Sequence, residues 1–463
     1  MKKIVIIGGG PGGYVAAIRA AQIGAEVHIV EETYFGGTCL NVGCIPTKAL
    51  IQGAEAYSGI KNAGRLGITV ENATLNWQEL MKFKEGTVQR LVQGVEGLLR
   101  ANGVTCHRGK GTLKDKNTVL VQGEKDSYEV QGDFIVLATG SSNFSPPVPG
   151  LDLAGVITST EALDLPEIPE TMLIVGGGVI GIEFAYLYSA LGTKVTVVEL
   201  LPEILPMLDA DLVSVLKGEL IRQGVTFYTE AKLQEVKKAG AQFAALVDYK
   251  GQVETVTAEK VLVAIGRRAR IQGLGLEDLG VQMNRGAIQV NEYFQTNIAN
   301  VYAIGDCNGQ IMLAHAASAQ GIAAVEHALG KTPSYFAQTI PSCLYTHPEV
   351  ASVGLSAKEA KEKSIPVEVA TFPLVGNGKA LIENGGVGFI KIVVGKKYKE
   401  IIGVQMIGPR ATDLIAEASL ALRLEATVEE LISTIHGHPT LSEALGEVAM
   451  AVEDGAIHWA PKK

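Results

Sequence analysis

The first thirty residues combine short apolar runs with a glycine-rich turn, in the order strand, turn, helix, strand. Lys3 to Ile7 is a β-branched run of the kind that forms buried parallel strands, and the helical pattern Tyr14 to Gln22 follows the turn. Gly24 ends that helix, and a second strand runs from Val27 to Glu31. The pattern predicts a βαβ unit and therefore a parallel sheet.

The same pattern recurs after Leu173, with every landmark displaced by 168 residues (176 − 8). In both copies the turn reads Gly-x-Gly-x-x-Gly, at positions 8, 10 and 13 and again at 176, 178 and 181. A single motif of this kind is weak evidence for a dinucleotide site, because an ordinary glycine-rich turn can have the same sequence. Two copies that share the turn, the helix length and the terminal acid predict two dinucleotide-binding units.

Each feature that the two copies share has a physical role. The first glycine turns the chain, the second lets the backbone approach a pyrophosphate, and the third lets the helix pack on the strand. The helix N-terminus, with its free N–H groups, favours the diphosphate. Glu31 and Glu199 end the second strand of each copy and are placed to accept a hydrogen bond from a ribose hydroxyl. Glu199 would repel a 2′-phosphate, so we expect the second site to prefer NAD to NADP.

The rest of the chain contains further element signals. Three strands are predicted to end at a glycine, in the strand-to-glycine joints Ile135–Gly140, Val261–Gly266 and Val301–Asp306. The proline-rich segment Ser145–Gly150 reads as a linker. After about residue 346 the chain has no further glycine motif, and its pattern predicts strands at Gly388–Val394 and Ile401–Ile407 and helices at Ala411–Leu424 and Thr427–Ser433. The expected fold class is α/β, with two doubly wound Rossmann-like dinucleotide-binding domains and an α+β C-terminal domain. The expected domains are 1–145 (first dinucleotide unit), 146–270 (second dinucleotide unit), 271–345 (a central segment that returns to the first unit) and 346–463 (C-terminal domain).

Composition excludes several classes of protein. Hydrophobic residues make up 47% of the 463 residues and charged residues 19%, which excludes a disordered chain. The net charge of −9 and the lack of a basic run argue against a nucleic-acid or anionic-membrane partner. The longest apolar stretch, Met172–Ile182, is shorter than the roughly 20 residues of a membrane span. The 54 glycines have no collagen-like period.

The five cysteines are too few and too unevenly spaced for a secreted disulfide framework. The apolar run at the start is interrupted at once by glycines and is not a targeting signal. We therefore expect a cytoplasmic protein, and no metal site, since no second Cys or His pair lies near the close pair Cys39 and Cys44.

Cys39 and Cys44 are five residues apart. On a regular helix this spacing separates the Cα atoms by roughly 8 to 9 Å, whereas a disulfide needs less than about 7 Å. Either the two never bond, or the segment is a distorted turn, which Gly43 would permit. Two unrelated buried cysteines remain a third interpretation.

A second candidate cluster lies near the C-terminus, where two histidines, a proline and an acid fall within eight residues, from His436 to Glu443. Thiol–disulfide exchange requires a thiolate, so a general base is useful, and histidine has the appropriate pKa. A carboxylate bound to the far ring nitrogen would set its tautomer. His438 and Glu443 fit this description, but a loop turn or a metal fragment would have the same local sequence.

The segment Gly36 to Lys48, which reads GGTCLNVGCIPTK, resembles the redox-active signature of the class I flavoprotein disulfide reductases. The resemblance covers the whole chain to His438, whose surroundings match the family pattern HxHPTxxE. It implies FAD in the first dinucleotide fold, NAD in the second, and a disulfide beside the flavin. Carried over, Cys44 is the flavin-proximal thiol and Cys39 the interchange thiol.

The resemblance also implies the remaining site residues. Lys48 and Glu183 would pair near flavin N5, and His438 with Glu443 would be the acid/base dyad. The implied FAD contacts are Gly8, Gly10, Gly12, Gly13, Glu31, Gly37, Thr38, Lys48, Gly111, Thr139, Gly140, Asp306, Met312, Leu313, Ala314 and His315. The implied NAD contacts are Gly176, Gly178, Val179, Ile180, Gly181, Glu183, Glu199 and Gly266.

Comparison with family members narrows the expected substrate. Glu199 contradicts the NADPH preference of glutathione and trypanothione reductases, and no cysteine follows Cys343, unlike in mercuric and large thioredoxin reductases. Soluble transhydrogenase lacks one of the two cysteines present here. Protein-bound dihydrolipoamide remains, carried by lipoyl domains of 2-oxo-acid dehydrogenase or glycine-cleavage complexes.

Two other functions stay open: reduction of another low-molecular-weight disulfide, and a chiefly structural role in a multienzyme complex. The resemblance further implies that 1–145 is the FAD-binding domain, 146–270 the NAD-binding domain and 346–463 the dimerisation (interface) domain of a homodimer, in which His438 reaches the cysteine pair of the other subunit. The roles of Cys106, Cys307, Cys343, His347 and His436 are not assigned by the sequence.

Overall fold

The computed structural model describes residues 1–333, 335 and 337–460. Its core consists of two five-stranded parallel sheets and a five-stranded antiparallel sheet. The predicted class, two Rossmann-like units followed by an α+β region, is confirmed. The domain boundaries given above stay predictions, and residues 334, 336 and 461–463 lie outside the described part of the chain.

The two parallel sheets are built alike, with the predicted βαβ strands in adjacent positions. The first has the spatial order Val301–Ala303, Phe134–Leu137, Lys3–Ile7, Glu26–Glu31, Thr105–Arg108. The second has the order Thr226–Tyr228, Lys194–Val198, Thr171–Val175, Lys260–Val263, Val156–Thr158. Even the registers correspond, because Ile4 is opposite Val27 in the first sheet and Met172 opposite Val195 in the second.

The antiparallel sheet follows the second unit. Its order is Ser342–Leu344, Glu349–Gly354, Ile401–Gly408, Phe389–Gly395, Val367–Pro373. Smaller antiparallel sheets, which the sequence did not signal, are formed by Lys110–Asp115, Thr118–Gln122 and Ser127–Gln131, by Ala231–Ala239, Gln242–Tyr249 and Gln252–Ala258, by Ser141–Asn143 with Arg267–Ala269, and by Met283–Asn284 with Ala287–Ile288.

The α-helices are Pro11–Gln22, Gly37–Val42, Cys44–Lys61, Trp77–Ala101, Ser159–Ala162, Val179–Ala190, Ala210–Arg222, Ala314–Ala328, Ala357–Glu362, Gly378–Asn384, Ala411–Arg423, Val428–Ser433 and Glu443–Met450. We call Pro11–Gln22 and Val179–Ala190 the first and second fingerprint helices, and Cys44–Lys61 the cysteine helix. No helix among the described residues is both long and apolar enough to cross a membrane.

The first fingerprint helix begins three residues before the predicted start at Tyr14. Proline is favourable at the first helical position because its missing N–H has no partner there, and Pro11 occupies that position. Gly12 and Gly13 therefore belong to the first helical turn. The helix N-terminus consequently opens directly at the glycine loop.

A second helix packs closely against the first fingerprint helix. A Cβ atom on Gly321, in the helix Ala314–Ala328, would lie 2.6 Å from the carbonyl oxygen of Gly12, closer than non-bonded atoms approach. Alanines 16 and 317 extend this contact between small residues. The close approach places Met312 and Leu313, just before the second helix, beside the glycine loop.

The cysteine helix is held by a core shared with the second fingerprint helix and the antiparallel sheet. Leu50 and Ala54 of the cysteine helix, Phe184 and Leu187 of the second fingerprint helix, and Leu344 all belong to one buried cluster. This core orients the cysteine pair toward the second dinucleotide unit.

A buried ion pair links the antiparallel sheet to the second unit. Lys391 Nζ is 3.1 Å from an oxygen of Asp209 and 2.6 Å from one of Asp211, and the Lys391 and Asp209 side chains are nearly inaccessible. Asp209 precedes the helix Ala210–Arg222. The pair therefore fixes the sheet against that helix.

Replacing Lys391 with alanine leaves the buried Asp209 carboxylate without a cation. We expect Lys391→Ala to destabilise the protein by about 3 to 5 kcal/mol, the usual cost of breaking one half of a buried pair. The measurement is the shift in thermal unfolding midpoint. Lys82→Ala is the control, because its pair with Glu79 is exposed and should contribute almost nothing. Equal midpoints for both variants would contradict this assignment.

Candidate active site

The first glycine of each loop has the same backbone conformation. Gly8 has a φ of 109° and Gly176 a φ of 110°, and a Cβ atom on either would collide with the carbonyl oxygen of a neighbouring strand-to-glycine joint, Ala138 or Ala264. These positions therefore require glycine. By contrast, a Cβ on Gly178 would meet no atom within 4 Å. The middle of the loop thus faces open space, as a pyrophosphate site requires.

The two strand-end acids share two equivalent backbone hydrogen bonds, and Glu31 also accepts a third from Tyr34 N at 3.2 Å. Glu31 accepts hydrogen bonds from Gly9 N (2.6 Å) and Thr33 N (2.7 Å). Glu199 accepts them from Gly177 N (2.6 Å) and Leu201 N (2.8 Å). Backbone donors hold each carboxylate at the end of its glycine loop, and each keeps lone pairs available for a ribose hydroxyl.

A cavity of about 720 Å³ runs along the first glycine loop and reaches the second fingerprint helix. Its volume falls in the range of cofactor sites. Nearly all predicted FAD contacts line it: Gly8, Gly10, Gly12, Glu31, Gly37, Thr38, Lys48, Gly111, Thr139, Gly140, Asp306, Met312, Leu313, Ala314 and His315. Gly13 does not, because it packs behind the loop, where a Cβ would lie 1.9 Å from the Gly8 carbonyl oxygen.

The predicted NAD residues divide into two groups. Val179, Ile180 and Glu183 line the same cavity. The others, Gly176, Gly178, Gly181, Glu199 and Gly266, lie outside its lining. The N-terminus of the second fingerprint helix is thus the place where the second dinucleotide unit reaches the cavity of the first. Among the described residues no cluster of His, Cys, Asp and Glu could hold a metal ion.

Both cysteines line the cavity, on two helices separated by Gly43. A Cβ on Gly43 would lie 2.8 Å from the carbonyl oxygen of Thr38, so a side chain there would push the two helices apart. Both cysteines are free thiols, and the Cys39 thiol is near enough to act as a hydrogen-bond donor that sets the pKa of Cys44. Of the alternatives left open by the spacing, the chain adopts the distorted turn.

The thiol–thiol hydrogen bond makes the two cysteines unequal. It lowers the pKa of Cys44 to about 7, because the Cys39 thiol stabilises the Cys44 thiolate, and the Lys48 ammonium acts in the same direction against burial. The same bond, together with burial, raises the pKa of Cys39. Near neutral pH the reduced pair therefore carries its negative charge on Cys44.

Lys48 and Glu183 meet as predicted. Lys48 Nζ is 2.9 and 2.8 Å from the two carboxylate oxygens of Glu183, whose side chain is 6% exposed. The Tyr345 backbone N–H also donates to Glu183 (3.1 Å). A carboxylate this deeply buried requires such partners. Tyr345 lines the cavity and was not identified from the sequence.

A second group of missed residues surrounds Asp306. Ser141 Oγ donates to the Asp306 carboxylate, and Arg267 Nε donates to Ser141 Oγ at 2.7 Å. All three line the cavity. A signal did exist, since Ser141 and Arg267 each come directly after the glycine of a predicted strand-to-glycine joint, Gly140 and Gly266.

The C-terminal dyad forms as predicted but does not line the cavity. His438 Nδ1 lies 2.8 Å from Glu443 Oε1, and Thr440 N donates to the other Glu443 oxygen at 2.7 Å. Although burial acts in the opposite direction, these hydrogen bonds lower the pKa of Glu443. The His438 side chain is 81% exposed. Within one chain, therefore, the dyad and the cysteine pair are not brought together.

The unassigned residues have ordinary surroundings, with one exception. His436 pairs with Glu417 (2.8 Å), His347 precedes a cis-proline in a bend, Cys106 is exposed, and Cys307 is buried. The exception is Cys343, which lines the cavity near Tyr345.

Two family models match the chain. Residues 2–321 match the pyridine nucleotide-disulphide oxidoreductase model and residues 340–449 its dimerisation domain. The chain belongs to this family, and it carries the dimerisation domain.

Individual relatives are similar over their full lengths. A dihydrolipoyl dehydrogenase of Bacillus subtilis is 42% identical, over 98% of this chain and 99% of its own. The dihydrolipoyl dehydrogenase of Chlamydia pneumoniae is 40% identical, over 99% of this chain and 98% of its own. The crystal structure of LpdA from Mycobacterium tuberculosis superposes with a TM-score of 0.91 at 29% identity, over 97% and 99% of the two chains.

The cysteine geometry predicts the titration of the reduced protein. A thiolate absorbs in the ultraviolet, and we expect that of Cys44 to appear as the pH rises through about 7. Burial raises the pKa values of Cys307 and Cys343 to about 11, so neither contributes there. Cys39→Ala removes the donor and should move this transition to higher pH; Cys39→Ser should move it less. Cys106→Ala is the control. A transition unmoved in Cys39→Ala would show that the hydrogen bond does not set the acidity.

Proposed function

We propose that this chain catalyses the NAD-linked oxidation of protein-bound dihydrolipoamide to lipoamide, the activity named for its curated relatives. The observation that carries the proposal is that Cys39 and Cys44, free thiols on either side of the helix break at Gly43, line a cavity shared by a glycine loop and the second fingerprint helix. A dithiol at this junction can exchange with a substrate disulfide on one side and a dinucleotide on the other.

FAD fits the first glycine loop: a Cβ on its middle glycine, Gly10, would be 3.9 Å from the nearest non-neighbouring atom, the Gly37 Cα, which leaves room for a pyrophosphate, and the anchored Glu31 suits a ribose. Gly8, Gly10, Glu31, Thr139, Gly140 and Asp306 would hold it, with the N-terminus of Ala314–Ala328 favouring negative charge on the bound ring system. When bound, FAD supplies two-electron transfer between a dithiol and a nicotinamide. Glu199 and the second glycine loop would hold NAD, and the carboxylate disfavours NADP.

The residues of the chain account for the exchange with substrate. Each thiolate attack forms one S–S bond and breaks another, so two attacks are needed. The first opens the Cys39–Cys44 bond and joins a substrate sulfur to Cys39, and in the second the other substrate thiolate breaks that mixed disulfide, closes the lipoyl S–S bond and releases Cys39. Over both steps the dihydrolipoyl dithiol loses two electrons and two protons. Substrate attacks Cys39, and Cys44 leaves as a thiolate. The Lys48 ammonium, which acts to lower the pKa of Cys44, favours the departing thiolate. The two electrons and one of the two protons then reach NAD⁺ as the equivalent of a hydride, which gives NADH. The other proton is released to solvent.

The dihydrolipoyl thiols must lose their protons to react, and the His438–Glu443 dyad is the proposed base. The Glu443 carboxylate at Nδ1 leaves Nε2 as the basic nitrogen. Because the dyad lies outside the cavity of its own chain, we propose that it completes the cavity of a second subunit. The nearby Ile435, 97% exposed in the single chain, supports a covered interface here. Lipoyl domains are the proposed partners, and a cytoplasmic location stays a prediction.

Anaerobic titration with NADH tests the redox centre. We expect a two-electron-reduced state with long-wavelength absorbance from contact between the Cys44 thiolate and flavin, and we expect NADPH to produce it far less readily. Cys44→Ser should lose the band while retaining flavin. Flavin bleaching without this band in the unmodified protein would contradict the proposed route.

The choice of substrate has a separate test. We expect NADH-linked reduction of lipoamide to exceed that of glutathione disulfide and of a mycothiol-like disulfide. Faster reduction of another disulfide would assign the chain to the alternative reductase function. No turnover of any disulfide would favour a structural role in a multienzyme complex.

Mixed dimers test the sharing of sites. Cys44→Ser and His438→Ala chains should each form inactive homodimers, whereas a heterodimer combines an intact cysteine pair with an intact dyad at one of its sites. Random mixing should therefore restore roughly a quarter of normal lipoamide activity, since half the dimers are heterodimers with one active site each. No recovery, with heterodimers demonstrated by differential tagging, would place both groups in one chain.

A further inference from the structure

Tyr345 contacts both members of the buried ion pair. Its ring centroid is 4.5 Å from Lys48 Nζ, within the range of a cation–π contact. Its backbone N–H donates to Glu183 at 3.1 Å. The ammonium is thus bounded by a carboxylate on one side and an aromatic face on another.

Tyr345 has little freedom to leave this position. It directly follows the strand Ser342–Leu344, and both neighbours, Leu344 and Thr346, are buried. Thr346 Oγ1 donates to the Pro348 carbonyl at 2.7 Å. The segment therefore anchors the ring from the antiparallel sheet, which belongs to the dimerisation region.

The position of the Lys48 ammonium matters because Lys48 lies four residues after Cys44 on the cysteine helix. Side chains with this spacing lie on the same helix face. A long lysine side chain has several rotamers, and only some place the ammonium beside the sulfur. The charged or titratable groups that share the cavity with Cys44 and interact electrostatically with it are Cys39, Lys48, Glu183, Arg267 and Tyr345.

We propose that Tyr345 is a positioning residue that holds the Lys48 ammonium against the Cys44 thiolate, so that the dimerisation region helps to set the charge state of the redox cysteine. The ring attracts the cation and excludes water from one side of it. The inference rests on the proposed function, because it concerns the thiolate that would contact the bound flavin.

The test uses the holoenzyme, reduced by two electrons, and follows the long-wavelength thiolate–flavin band as a function of pH. Tyr345→Leu removes the aromatic face but keeps an apolar side chain and the backbone N–H. It should move the midpoint of the band upward by about half a pH unit to one unit, from the usual strength of a partly buried cation–π contact. Tyr345→Phe keeps the ring and should leave the midpoint unchanged.

Tyr398→Leu is the matched control. Its ring centroid is also 4.5 Å from a lysine ammonium, that of Lys397, but the residue is 66% exposed, and neither residue lines the cavity. Its midpoint should equal that of the unmodified protein. If Tyr345→Leu does not fold, Tyr345→Met provides the same test with a more adaptable side chain.

The possible failures are distinguishable. An unmodified protein without the band contradicts the proposed function. A normal band whose midpoint is unmoved or lowered in Tyr345→Leu and Tyr345→Met overturns the role of Tyr345 alone. An equal upward shift in Tyr345→Phe also overturns it, because the ring would then not be the active element.

Discussion

The ion pair between Lys48 and Glu183 is the contact on which the organisation of the site depends. Glu183 is almost fully buried, and an unpaired carboxylate there would be very costly. Its partners come from different parts of the chain: Lys48 from the cysteine helix, and the Tyr345 N–H from the segment after the first strand of the antiparallel sheet. The charge is satisfied only when these parts are assembled. The cysteine pair is oriented by the same assembly.

The two dinucleotide units have the same local structure but different surroundings. Gly8 and Gly176 have nearly the same φ, and Glu31 and Glu199 accept equivalent backbone hydrogen bonds. Their neighbours differ. The first fingerprint helix packs against Ala314–Ala328 at Gly12 and Gly321, which completes a cavity over the first loop. The second fingerprint helix packs against the cysteine helix and brings Glu183 to that cavity.

Much of the fold and the site could be predicted from the sequence. The glycine spacing, the terminal acids and the constant offset identified both βαβ units, because each feature answers a local steric or electrostatic requirement. Lys48, Glu183, His438 and Glu443 were implied by family resemblance and do form the expected pairs. Tyr345 and the Ser141–Arg267 contacts with Asp306 were missed. Their roles depend on which distant segments become neighbours, and no periodicity records that.

The sequence by itself determined the local backbone: where glycine is obligatory, where the parallel strands end, and which acids follow them. It left the geometry of the cysteine pair open, because five residues in a helix and five residues across a glycine break have the same spacing along the chain. Only the tertiary structure decided that the helix breaks at Gly43 and that the thiols meet. It also decided that the His438–Glu443 dyad lies outside the cavity of its own chain. Such relations arise from burial and long-range packing, which depend on the whole folded chain.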